Sequence, residues 1–317
     1  MATAFSPTNS VTTTTADKFI PDIWSDEIVA AYKKNLVLAN LVMKMNFKGK
    51  KGDTIHIPAP TRGSASAKAA EAAVTLIAAT ESEVNVSINK HYEYSRLIED
   101  IVEAQALNSL RNFYTSDAGY ALAKQVDTDL VQLGRSTNGG AGTNAYATGA
   151  FIGGDGTTAY VAANNNESAL TDAAIRRTIQ RLDDTDTPMD QRFFLIPPSS
   201  RNTLMGLARY TEQAFVGGTN STIRTGEIGN LYGIPVFVSS NCDTASGSNN
   251  ARVCLMGHRD AVVLVEQVAV RSQVQYKQEY LATLFTSDTL YGVQILRSAA
   301  SVSAAKSASM FALLVPA

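Results

Sequence analysis

Cysteine, tryptophan and histidine are scarce: two, one and three residues among 317. Cys242 and Cys254 stand too far apart for the C-x2-C spacing of a zinc site. They are read as small, buried free thiols, which fits a reducing compartment. His56, His91 and His258 occupy no metal-ligand spacing, and H-E-x-x-H is absent. Charge is thin as well, at 18% of residues against a usual ~25%. The formal net charge of −2 offers no global basic excess to grip a phosphate backbone. No run of about 18 apolar residues exists to span a membrane. Met1 to Ala16 is polar and Thr-rich, without the basic and apolar regions of a signal peptide.

The motifs of catalysis are missing too. There is no G-x-S-x-G elbow and no G-x-x-x-x-G-K-[ST] phosphate loop. Gly140-Ala141-Gly142 with Ala145 matches a dinucleotide fingerprint in letters only, because it follows a helical pattern rather than a strand. Asp183, Asp184, Asp186 and Asp190 form an acidic cluster without the spacing of a calcium loop. It falls at the end of a predicted helix, where carboxylates are unfavourable, and reads as a solvated turn. The expectation is no enzyme, and no catalytic, cofactor-binding or metal residues.

What remains is an ordinary apolar share, 45%, in a chain long enough for more than one sub-structure. Ordinary apolar content with little charge suggests a surface covered by neighbouring copies. Residues 1–18 read as an arm that orders only against a partner. After Pro21, the spacing of Trp24, Ile28 and Tyr32 predicts a short amphipathic helix. Thr54 to Pro58 alternates as a strand, and Pro58 and Pro60 confine it to an edge or a projecting hairpin. Residues 61–80 hold few large side chains. The return strand is read from Val84, Val86, Ile88, Tyr92 and Tyr94. Such a long hairpin is poorly stable alone, so it must lie on another surface.

The period then changes to 3.6. Ile98, Ile101 and Val102 predict a short helix. Tyr114, Ala118, Leu122, Val126, Leu130 and Leu133 predict a helix of about seven turns, capped by Asn108 or Ser109 and ended by Gly134. Residues 135–166 read as a long surface loop. A second helix carries Leu170, Ala174, Thr178 and Leu182. Phe193 to Ile196 reads as a buried strand, and Ser199 or Ser200 as the cap of a short helix. Residues 211–226 form a polar loop. Further strands are expected at Ile234–Val238 and Val253–Met256, Val262–Val270 is strongly β-prone, and Gln273–Leu284 and Thr289–Leu296 read as long strands or as a strand with an irregular join. The class is α+β, with antiparallel pairing favoured in the last third.

This order of parts resembles the HK97-like fold of tailed-phage major capsid proteins, over roughly residues 20–300. Lys51-Gly52-Asp53-Thr54-Ile55-His56-Ile57-Pro58 looks like the start of that family's extended loop. Arg96-Leu97-Ile98-Glu99-Asp100 looks like the approach to its spine helix. Gly226-Glu227-Ile228-Gly229-Asn230-Leu231-Tyr232-Gly233-Ile234-Pro235-Val236 resembles the turn before an axial-domain strand. The segment from Tyr276 through Arg297 to Ala300 resembles the closing part of short-tailed podophage capsid proteins.

The resemblance implies an N-terminal arm (1–46), an extended hairpin loop (47–95), a peripheral domain with the spine helix (96–135 and 262–298) and an axial domain (136–261 and 299–317). It implies hexamers and pentamers closed into an icosahedral shell, with the hairpin lying across the adjacent subunit. Implied partners are other copies of the chain, a scaffolding protein, a portal protein and double-stranded DNA packaged without sequence specificity. A decoration protein is left open, and no membrane is expected. The location implied is the virion, after assembly in the bacterial cytoplasm. Candidate inter-subunit contacts are Trp24, Arg62, Lys68, Glu71, Arg111, Arg271 and Lys277. Some relatives cross-link their shells through Lys and Asn; Lys68 lies near the hairpin tip, but no partner Asn is identified. The alternatives are an encapsulin-like compartment and a tail or adhesin protein.

Overall fold

The computed structural model describes residues 37–48, 51–60, 63–71, 73–77, 81–100, 109–134, 150–161, 166–207, 229–242, 251–296 and 309–317. The helix predicted around Trp24 and the loop at 211–226 lie outside them. Among the described residues, three sheets and one long helix, α2 (Ser109–Gly134), make the frame. The 16-residue strand β10 (Val262–Lys277) pairs antiparallel with β11 (Ala282–Ile295). β11 pairs with β4 (Lys90–Glu99), and the short β1 (Met43–Asn46) runs parallel to β10. β2 (Thr54–Pro60) and β3 (Glu81–Ser87) form a separate two-stranded hairpin.

The third sheet has six strands. They are β5 (Ala150–Ile152), β6 (Arg192–Ile196), β7 (Asn230–Leu231), β8 (Ile234–Val238), β9 (Ala251–His258) and β12 (Met310–Pro316), in the spatial order β5-β12-β9-β6-β8-β7. Both faces are covered, so its central strands are apolar at nearly every position. In β12, Met310, Ala312 and Leu314 join the cluster containing Leu130 and Leu133 of α2. Phe311, Leu313 and Val315 face α3 (Asp172–Asp184) and α4 (Pro198–Met205) with Ile175, Leu182 and Leu204. Cys242 belongs to the first cluster and Cys254 to the second. The two free thiols are therefore separated by the sheet. Burial pushes the Cys254 thiol up to about 12.

Helix α2 has the predicted bounds. At 26 residues it is about 39 Å long, and Ala118, Leu122, Leu130 and Leu133 are buried along it. Helix α3 is capped by Thr171, whose hydroxyl accepts from the Ala174 amide, and it buries Ala174, Thr178 and Leu182 as read from the sequence.

Five local expectations give way. Ile98 continues β4, paired with Thr283, instead of starting the short helix, whose other residues Ile101 and Val102 lie outside the described ones. The predicted return strand of the hairpin is two strands: β3 pairs with β2, while β4 joins the four-stranded sheet. Residues 150–152 are a strand at the sheet's edge, within the stretch read as a loop. The cap of α4 is Pro197, with Pro198 at the first position, where the missing amide costs nothing. Gln273–Leu284 is broken at Gln278–Leu281, where a 3-10 turn and Leu281 at φ 45° reverse the chain. The acidic cluster is also more engaged than a solvated turn: Asp183 Oδ1 lies 2.7 Å from Nη2 of the buried Arg192.

The root of the hairpin is held tightly. A Cβ at Gly292 would lie 2.4 Å from the Ser87 carbonyl oxygen, so β3 rests directly on the backbone of β11. At Gly119, in mid-helix, a Cβ meets nothing within 4 Å. Gly292→Ala should therefore destabilise the unassembled chain by about 1–3 kcal/mol, and Gly119→Ala should stabilise it by about 0.5–1 kcal/mol. Denaturant unfolding of both variants measures the signs.

Candidate assembly interface

The hairpin divides into an anchored root and a bare tip. Val86 and Ile88 pack with Val263 and Val265, flanked by Met43, Met45, Ile55 and Ile57. The Ile88 amide donates to the Asp53 carbonyl at 2.7 Å, and Gln267 Nε2 donates to the Gly52 carbonyl at 3.0 Å. The root thus has a small core supplied by the chain's own body. The described tip residues, 63–71 and 73–77, are all exposed. They include Val74 at 69%, Leu76 at 88% and Ile77 at 62%. Three neighbouring apolar side chains so open to water mark a surface meant for a contact.

A second exposed surface lies at the far end of the β10–β11–β4 ribbon, where Leu97, Val270, Val274, Tyr276, Tyr280 and Leu281 are open. One face of the ribbon meets α2. There Tyr94 donates to Asp117 at 3.1 Å and Arg96 stacks over Tyr114. On the other face Arg271 makes two bonds to Asp288, at 2.8 and 2.9 Å, with His91 Nε2 3.3 Å from the same carboxylate. The Arg271 guanidinium, followed by His91, holds Asp288 below the usual carboxylate range.

The middle of α2 fixes the hairpin's position relative to the body. Asp129 is buried, with Lys90 Nζ at 2.9 Å, Tyr291 Oη donating at 2.7 Å and Gln125 Nε2 at 3.0 Å. Asp127 is also buried and accepts from the Ala39 amide at 3.2 Å and Asn241 Nδ2 at 3.1 Å. It thereby caps α1 (Leu38–Leu41), whose own cap residue Val37 supplies no side-chain bond. No cation pairs with Asp127 among the described residues, and burial raises its pKa. A polar cavity of about 390 Å³ opens between Asn85, Asn89, Lys90, Asp129, Gln132 and Gln294, beside the hairpin root.

Of the residues nominated from sequence, Trp24 and Arg62 lie outside the described ones. Lys68 and Glu71 sit together on the bare tip, Glu71 at φ 63°. Arg271 and Lys277 sit together on the outer strand β10, and Arg111 lies near the start of α2. The structure thus makes two pairs of them, on separate surfaces of one chain. Sequence reading missed Asp127 and Asp129. Their signal was two carboxylates within four residues of Leu130 and Val131, beside the apolar stripe.

The profile of the phage capsid family matches residues 17–304. The chain belongs to the phage capsid family. It is a structural, capsid-forming protein of a bacteriophage, and its α+β fold is HK97-like. A chain from Mycobacterium phage Che8 is similar at 20% identity and a TM-score of 0.71, over 93% of this chain and 97% of that one. The capsid of Cyanophage P-SCSP1u is similar at 21% identity and a TM-score of 0.72, over 98% and 99%. The capsid of a native GTA particle gives 12% and 0.66, over 98% and 99%. No curated protein matches the chain. An encapsulin-like compartment and a tail adhesin are not favoured by these matches.

Asp127 generates a test of this capsid protein's core. Its folded pKa lies above the unfolded 3.8, so its contribution is full below that value and is lost as pH rises through the raised one. Wild type minus Asp127→Asn, in unfolding free energy, should fall as pH climbs from about 4 toward neutrality. A flat difference would show that the carboxylate is not strained by burial.

Proposed function

We propose that this is the major capsid protein of a tailed phage, which self-assembles into the hexamers and pentamers of an icosahedral shell enclosing double-stranded DNA. The observation that carries the proposal is the hairpin: a root locked to the body and a tip with exposed apolar side chains. A monomer gains nothing from such an arm, whereas a lattice covers it. Each interface can be modest, because closure multiplies identical contacts.

In this reading residues 47–95 are the extended loop, α2 is the spine helix of a peripheral domain containing the β10–β11 ribbon, and the six-stranded sheet belongs to the axial domain. Residues 1–46 act as the arm. Trp24, Arg62, Lys68, Glu71, Arg111, Arg271 and Lys277 contribute to contacts between copies. A scaffolding protein directs a precursor shell in the host cytoplasm, and a portal admits the DNA. The shell protein carries out no catalysis and needs no cofactor; its net charge of −2 suits a wall that surrounds DNA without gripping it.

The backbone allows a clean test. Pro60 and Glu81 are opposed at the end of the β2–β3 ladder, so an Asn-Gly turn can replace residues 61–80. The shortened chain should fold, with its unfolding midpoint close to that of the full chain. Negative-stain microscopy with scaffold present should show no closed shells. Closed particles from the shortened chain would overturn the role given to the hairpin.

A further inference from the structure

Positive charge is unevenly placed along the chain. Residues 28–52 hold six lysines (Lys33, Lys34, Lys44, Lys48, Lys50 and Lys51) and no carboxylate. Taking those six from the 27 basic residues leaves 21 against 29 acidic ones, so the rest of the chain carries a net −8. A protein that is acidic elsewhere thus gathers cations in one short segment, a local attraction for polyanions that the total charge hides.

The described part of that segment forms a line of ammonium groups. Met43 and Met45 of β1 pack with Val263 and Val265, and Phe47 continues their inward row. Lys44, Asn46 and Lys48 alternate with them and are exposed, as is Lys51 beyond the turn. Extended backbone puts the Cα atoms of Lys44 and Lys48 about 13 Å apart. Lys44 Nζ donates to Asn40 Oδ1 at 3.1 Å. None of the three lysines forms an ion pair among the described residues. Two carboxylates border the line, Asp53 in sequence and Glu266 opposite Asn46.

Lysines on an edge strand deter pairing with another sheet. This line, however, runs past the last strand residue, Asn46, to Lys48 and Lys51, where no ladder remains to guard. Contacts between proteins favour arginine and aromatic anchors and are depleted in lysine, and no arginine or aromatic shares the exposed row. Flexible point charges at intervals suit a partner recognised by its backbone charge alone.

We propose that Lys44, Lys48 and Lys51 contact backbone phosphates of double-stranded DNA, which places this strip on the inner wall of the shell. The assignment rests on the capsid reading and names the surface that meets the packaged duplex. Three phosphate contacts per copy carry no sequence information and are readily exchanged. Repeated over many copies, they hold the outermost DNA near the wall without fixing it.

The unassembled full-length chain and a fluorescent duplex of about 20 base pairs test it. Binding should weaken about fortyfold between about 50 and 200 mM salt, the log–log slope of about −2.7 expected of three phosphate contacts. Lys44→Gln, Lys48→Gln and Lys51→Gln together should weaken binding at low salt about tenfold or more and flatten that slope. Arg176→Gln with Arg177→Gln on α3 should change neither. In particles, an amine-acetylating reagent should modify Lys44, Lys48 and Lys51 more slowly when DNA is inside than in empty shells, with Lys68 alike in both. Undiminished duplex binding by the triple variant would overturn the proposal, and so would equal acetylation in filled and empty particles. A triple variant that binds duplex as before but no longer assembles on scaffold would overturn it in favour of an acidic protein partner. Failure of the wild-type chain to form particles with scaffold would instead overturn the capsid reading, whatever the duplex measurements show.

Discussion

Two carboxylates inside the long helix set the relative positions of most other parts. A buried ionised group must be surrounded by donors or opposite charge, since leaving it bare costs several kcal/mol. Asp129 therefore draws Lys90, Tyr291 and Gln125 into one place. Lys90 is the first residue of β4, only three positions after the hairpin's last residue, Ser87. Fixing Lys90 fixes the point from which the hairpin departs, and Gly292 under Ser87 fixes its height above the sheet. Asp127, two positions earlier, secures α1 and the turn at Asn241. Position and direction of the projecting arm are thus decided by groups deep within the molecule.

The same chain leaves other needs unmet. Its six-stranded sheet is covered on both faces and resembles the interior of a much larger protein. Its hairpin tip and the far ribbon expose aliphatic and aromatic side chains. Low overall charge has its physical sense here: surface that becomes interior on assembly does not need solvating groups. The interior supplies rigidity, and the outlying segments supply valence.

Much of this was legible in the sequence because strong periodicity survives tertiary context. The bounds of α2 follow from one apolar stripe, interrupted only by Gly119 and closed by Gly134. Phe193–Ile196 and Ile234–Val238 follow from short β-branched and aromatic runs between turn residues. The hairpin's edge character follows from Pro58 and Pro60. What escaped depends on distant partners. Ile98 reads as helical until Thr283 appears beside it. Residues 150–152 are too few to show a period, and only β12 makes them a strand. β12 itself went unread because its run of apolar residues has no alternation, both of its sides being buried. The interface nominations were legible only as surface charges. The structure adds that Lys68 and Glu71 share the tip, while Arg271 and Lys277 share an open strand.

The placement of the two thiols reaches beyond the single chain. Cys242 and Cys254 lie on opposite sides of a sheet, and the second is held protonated well above neutral pH. Neither can meet the other, and burial keeps both from oxidants and from thiols of adjacent molecules. A particle built from such chains carries its sulfur chemistry sealed inside each building block. Those thiols can pass from a reducing to an oxidising medium unchanged, so they supply no bond between one copy and the next.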